Sequence, residues 1–365
     1  MEQLLTLIID LRDDYGVLPL VLTGGAIIGV LFGICAERSD FCSRTALLSL
    51  MDGSHRTAPI PILTILIAML VALIGTQTAA ILGLSTLEEA VHHEVDVRIG
   101  GIYLGAVLFG AGMILARGCV SRMLVLSARG NIRAVITITF LTLVAWASIS
   151  GILATPRIAL AGFGTLPITF NHSSVAAGIT FLPLLALLGF WRRGLGALSA
   201  MQWAASVTIG LLVVLGFLVT GLVGADDFDP VPVEGLRFLQ PVTESLAWFV
   251  YGSALPLKFG LSLVIGTLIG AGLSAQIGRR AALQGFDGAP HPARYLAGAS
   301  LMGFGGVVSG GCTIGWLLNN AATAHLGVFV AIAGYVTAYW LLSFTKWAAL
   351  QPSNQARLGQ LFSKI

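Results

Sequence analysis

Three cysteines stand in settings where a thiol can do more than fill space. Cys119 follows Arg117-Gly118, Cys312 follows Gly310-Gly311, and Cys42 lies between Asp40-Phe41 and Ser43-Arg44. Glycine just before a cysteine lets the chain turn abruptly at little steric cost. A short helix starting at such a turn would aim its free N–H groups and the positive end of its dipole into the break. That arrangement suits an anion. A thiol adds a soft contact whose S–H donates weakly and so releases readily. A thiolate would repel an anion, so neutral thiols are expected. Cys35, inside an apolar run, reads as a small buried hydrophobe.

Charges gather near two of these cysteines. The segment Cys35–Arg44 holds Glu37, Arg38, Asp40 and Arg44 in a chain that otherwise avoids charge. Glu37–Arg38 or Asp40–Arg44 pairs would hold it in place, and residual positive charge there would attract an anion. Arg122, three residues after Cys119, would add to that field. Asn319-Asn320, beyond Cys312, offers side-chain amides for a polar lining or for packing. No Cys-x-x-Cys pair or histidine cluster has the spacing of a zinc or haem site, so neither metal nor cofactor is expected. His92-His93, with Glu94 and Asp96, reads as a solvated loop. No carboxylate falls at the centre of an apolar run, so a proton relay of the usual kind has no candidate.

An internal repeat frames two of the cysteines. Gly105-Ala106 through Gly110-x-Gly112 to Gly118-Cys119 reads Gly-Ala-x3-Gly-x-Gly-x5-Gly-Cys, and Gly298-Ala299 to Gly311-Cys312 reads the same. The copies occupy about 100–130 and 293–323. A fainter likeness links Gly29 through Arg38 with Gly270 through Arg279.

The elements that must position these residues are apolar helices. Of 365 residues 10% are charged and 56% hydrophobic, with a mean hydropathy of +0.90, against about 25% charged in soluble domains. This excludes a soluble enzyme, a disordered chain and a nucleic-acid-binding module. Long apolar runs, rather than alternation, exclude an outer-membrane barrel. The reading is an all-α polytopic membrane protein, one integral domain over 1–365. Nine spans of about 20 residues are expected: Val17–Ile34, Pro59–Leu82, Gly100–Ala116, Ile132–Ala154, Val175–Trp191, Trp203–Val223, Leu255–Ala275, Tyr295–Ser309 and Leu326–Phe344. The short, glycine-rich third and eighth are expected to be broken. With the N-terminus outside and the C-terminus cytoplasmic, fifteen of the 20 basic residues fall inside, as the positive-inside rule requires. The two Gly-Cys motifs then face opposite sides, as in inverted-repeat transporters.

The motifs Arg38-Ser39-Asp40-Phe41-Cys42, Gly110-Ala111-Gly112-Met113 to Gly118-Cys119, and Gly310-Gly311-Cys312-Thr313-Ile314-Gly315 resemble those of the YeeE/YedE (thiosulfate transporter-like) inner-membrane proteins. The resemblance runs from about Gly24 to Phe344. It implies an hourglass-like bundle with short re-entrant helices and partial pseudo-symmetry. It also implies thiosulfate uptake past Cys42, Cys119 and Cys312 by S–H···S contacts, supported by Arg38, Gly118, Gly311, Thr313 and Arg122. A cytoplasmic sulfur-carrier protein is implied as the acceptor. Two positions depart from the family pattern: Asp40 replaces a small residue and Arg122 a glycine. Cargo such as a selenium species, sulfite or another sulfur compound stays open, as does a membrane thiol oxidoreductase.

Overall fold

The computed structural model describes residues 12, 14–51, 60–84, 97–166, 198–225, 231–252, 256–285 and 292–343. The expected span Val175–Trp191 and the His92-His93 loop lie outside the described residues. The helices are α1 (Val17–Ser39), α2 (Ser43–Met51), α3 (Ile60–Ile81), α4 (Ile99–Leu115), α5 (Val120–Ala128), α6 (Ile132–Ser150) and α7 (Ala154–Ala161). They continue with α8 (Ala200–Leu218), α9 (Leu239–Tyr251), α10 (Phe259–Ile277), α11 (Pro292–Ser309) and α12 (Gly327–Ser343). Wider π-turns extend α8 over Val219–Val223 and form Gly315–Asn320. A two-residue antiparallel pairing joins Val97–Arg98 (β1) to Thr165–Leu166 (β2).

Among the described residues, six helical stretches are long and apolar enough to cross a membrane, and Gly327–Leu342 is a shorter apolar helix. α8 starts at Ala200 rather than at the expected Trp203. The Ser199 hydroxyl accepts from Gln202 N while the Gln202 side chain accepts from Ser199 N, a reciprocal cap that adds a turn. Residues expected in an outer loop form α9, which packs against α6 and α10. Large apolar side chains such as Ile27, Ile74, Leu143, Leu211 and Ile269 are about half exposed around the bundle. That apolar girdle is what lipid contact requires.

The repeat becomes a packing seam. α4 and α11 run antiparallel with their glycines in register. A Cβ on Gly112 would stand 2.5 Å from the Gly298 carbonyl, and one on Gly298 would stand 2.8 Å from the Gly112 carbonyl. The fainter likeness is a second seam, in which α1 and α10 lie parallel and Gly29 and Gly270 abut the partner's backbone. Small residues let helix backbones approach closely where lipid supplies no hydrophobic drive between helices.

Each of three chain breaks has the same plan. Asp40 (φ 53°), Arg117 (φ 63°) and Gly310 (φ 77°) are left-handed, and each lies two residues before a cysteine. Left-handed residues end helices because they free the last carbonyls for turn bonds. Gly118 N accordingly donates to Met113 O at 3.1 Å, and Gly311 N to Gly306 O at 2.9 Å. Each cysteine then starts the next helix, its carbonyl accepting from the residue four on. The bonds are Ala46 N to Cys42 O at 3.2 Å, Met123 N to Cys119 O at 2.9 Å and Trp316 N to Cys312 O at 2.9 Å.

Candidate functional site

The three cysteine-led helix starts converge. The Cys42 and Cys119 thiols lie within hydrogen-bonding reach of one another, with Ser43 also in reach of Cys119. Cys119 Sγ is 3.3 Å from Ser121 Oγ. Ser43 Oγ, one residue past Cys42, is 2.7 Å from Thr313 Oγ1, one residue past Cys312. Gly315 N donates to Cys312 Sγ at 3.4 Å, so this thiol caps its own helix. All three thiols are free and buried. The cluster therefore combines soft sulfur, two small hydroxyls and helix N-termini whose partial positive charge favours an anion.

The supporting residues are tied differently from the sequence expectation. Asp40 pairs with Arg122 at 2.8 Å rather than with Arg44. Glu37, fully buried, accepts from Ser274 Oγ at 2.9 Å and faces Arg280 at 3.5 Å and Arg129 at 3.8 Å rather than Arg38. Arg38 Nε instead donates to Ser274 Oγ at 3.3 Å. Neighbours one apart on a helix do not face each other; Glu37 and Arg38 are linked only through the Ser274 hydroxyl of α10, and Glu37 finds its counter-charges in Arg280 and Arg129. The network fastens the ends of α1, α5 and α10 together beside Cys42 and Cys119. Gly118 packs against Met123, and Gly311 against the Trp316 indole. Cys35 is half-buried beside Thr208, apart from the other thiols.

A cavity of about 290 Å³ reaches Cys312 from the face opposite that network. Arg237, Asn320, Gln240 and Glu244 line it together with the backbone of Gly310 and Gly311. Arg237 donates weakly to Asn320 Oδ1 at 3.5 Å, and its Nε is buried without a partner. Asn319 Oδ1 accepts from Gly235 N at 2.8 Å and holds the Arg237 segment against the Cys312 helix. Arg237 escaped the sequence reading because its relation to Cys312 is purely tertiary; its one signal was a lone arginine amid an acidic outer segment. Ser43 and Thr313 adjoin a second cavity of about 210 Å³, otherwise lined by aliphatic side chains, Met113 and Tyr335. Among the described residues no group of three or more His, Cys, Asp or Glu could hold a metal ion.

Six long apolar helices, apolar side chains exposed around the bundle and a cluster of thiols and hydroxyls buried within it define a multi-pass helical membrane protein. More particularly, the chain belongs to the sulphur transport family, which it matches over residues 38–341. It is 25% identical over 376 residues to the thiosulfate transporter TsuA of Escherichia coli K12, covering 93% of this chain and 98% of that protein. It is likewise 25% identical over 343 residues to the thiosulfate transporter TsuA of Spirochaeta thermophila, covering 88% and 97%.

Proposed function

We propose that this protein imports thiosulfate across the bacterial inner membrane, exchanging the ion's water for thiols, hydroxyls and helix N-termini. The observation that carries this reading is the convergence of three helix starts, each led by a cysteine. A dianion loses strongly favourable hydration on leaving water, so it needs replacement partners at each depth. Weak partners in series permit release as well as capture. Arg237 receives the ion in the outer cavity and presents its terminal sulfur to Cys312. The Ser43–Thr313 hydroxyl pair joins the residues that follow Cys42 and Cys312, and passage requires it to part. The two relatives named as thiosulfate transporters support this cargo over sulfite, a selenium species or another sulfur anion. The N-terminus is outside and the C-terminus cytoplasmic, where a small sulfur-carrier protein accepts the product of uptake. The role is transport, and no residue is assigned to catalysis.

Radiolabelled thiosulfate uptake in cells lacking other importers tests this. Cys42→Ser, Cys119→Ser and Cys312→Ser should each abolish most uptake, while Cys35→Ser should leave it unchanged. Parental uptake in all three would overturn the thiol path. A reporter fused after Lys364 should report cytoplasm.

A second reading, a membrane thiol oxidoreductase, draws on the approach of Cys42 to Cys119. Two such thiols would cycle through a disulfide, so that activity would stop under full reduction. Thiosulfate uptake that persists in excess reductant decides against it.

A further inference from the structure

Tyr335 on α12 is 3% exposed, and its hydroxyl has no hydrogen-bond partner. Such a group has lost its bonds to water and gained none in return. Phenylalanine would fill the same space without that loss, so packing does not account for tyrosine here. The ring is held firmly, edge-on to Phe109 with centroids 6.2 Å apart. It also lies against Gly110, where an added Cβ would be 3.4 Å away. The side chain lines the cavity that also meets Ser43 and Thr313. Its hydroxyl is within electrostatic range of both Cys119 and Cys312. The other lining groups are aliphatic or thioether, so Ser43 and Thr313 are the polar side chains beside it.

We propose that the Tyr335 hydroxyl donates a hydrogen bond to an oxygen of the transported anion as it passes between Cys312 and Cys119. This deepens the transport reading and rests on it. Ser43 and Thr313 bond each other at 2.7 Å, and an ion that parts them frees both hydroxyls. Three hydroxyls then face the oxygens while the thiols face the terminal sulfur. The central site is thereby selective for an ion with hard oxygens on one side and a soft sulfur on the other. The cargo is the partner that accounts for a tyrosine at this position.

The test compares the parent with Tyr335→Phe, reconstituted in lipid vesicles for labelled thiosulfate uptake and held in detergent for thermal unfolding. The expected result is uptake reduced at least tenfold with an unfolding temperature equal to or above the parent's. Parental uptake overturns the proposal. An unfolding temperature several degrees below the parent's also overturns it, because the hydroxyl would then have a structural partner. Thermal shifts on adding thiosulfate, sulfite or sulfate separate the two layers of inference. A parent shifted by sulfite but not by thiosulfate overturns the cargo alone, and Tyr335 is then judged by the sulfite shift. A parent shifted by none overturns cargo and tyrosine together. Equal shifts in parent and Tyr335→Phe overturn the tyrosine's role alone.

Discussion

Arg122 donates to the Asp40 carboxylate at 2.8 Å, and this one bond ties the chain break before Cys119's helix to the break before Cys42's. Arg129 lies 4.0 Å from the same carboxylate, so Asp40 is shared between two arginines. The carboxylate is 59% exposed and the guanidinium 17% exposed, so the isolated pair contributes at most about 1 kcal/mol. Its larger effect is on the local field: with Arg38, Arg122, Arg129 and Arg280 against Glu37 and Asp40, the charges beside the two thiols sum to a net positive.

That coupling predicts a non-additive pair of variants. Arg122→Gly leaves a carboxylate beside Cys42 and should slow thiosulfate uptake severalfold by repelling the anion. Asp40→Gly relieves a left-handed non-glycine residue but leaves an unpaired arginine, which should retain the anion and also slow turnover. The double variant should recover most of the parental rate. Initial rates in a double-mutant cycle measure the coupling, and additive losses would show that the two charges act independently.

Arg237 should govern capture rather than passage. On the proposed path its guanidinium meets the anion in the cavity before any thiol does. A charge-assisted hydrogen bond contributes about 1.5–3 kcal/mol, so Arg237→Gln should raise the KM for uptake about 10- to 100-fold. The maximal rate should change far less, and Arg237→Lys should fall between, having lost the planar fork but kept the charge. An unchanged KM would remove the outer cavity from the path.

The same cavity should respond to pH through Glu234. Removal from water raises its carboxyl from the ordinary value, with Arg237 pulling the other way. As pH falls through that raised value the carboxyl becomes neutral, Glu244, paired with Lys258 at 3.2 Å, remains as the carboxylate of the cavity, and KM should fall. As pH rises the carboxylate forms and KM should rise. Glu234→Gln should hold KM low and flat across the range. The stability linked to this group runs in the same sense: it is complete below the unfolded carboxyl's value and lost as pH rises through the folded one. Uptake kinetics at several pH values, parent against variant, check the sign.

The thiols and the two Gly-Cys breaks were legible in the sequence because the repeated glycine motif marks them, although the left-handed residue of the first is Arg117 and not Gly118. The third break was recognisable only through its cysteine. Asp40 takes the same backbone conformation as Gly310 without being glycine, so no motif search relates the two. Arg237 reaches Cys312 through the Gly235–Asn319 bond, a contact between segments far apart in the chain. Tyr335 lies in a helix that is apolar on every side, where periodicity distinguishes no functional face. Ion pairs around Glu37 were misassigned for a related reason: the nearest charge in sequence is not the nearest in a helix bundle.

The glycine seam gives the most direct test of how the fold holds the breaks. Alanine at Gly298 adds one methyl group that would stand 2.7 Å from Ala116 N and 2.8 Å from the Gly112 carbonyl. Neither is a flexible side chain, so α4 and α11 must separate at the point where α4 turns toward Cys119. Overpacking of this kind costs about 1–3 kcal/mol, more than the 0.5–1 kcal/mol or so that alanine gains over glycine within a helix. Gly298→Ala should therefore lower the unfolding temperature and, by displacing the Arg117–Cys119 turn, reduce uptake. Gly272 on α10 is the matched control, since a Cβ there would meet nothing nearer than 3.7 Å. Gly272→Ala should unfold at an equal or higher temperature and transport normally. Equal behaviour of the two variants would mean that the close approach of α4 to α11 does not set the geometry of the thiol cluster.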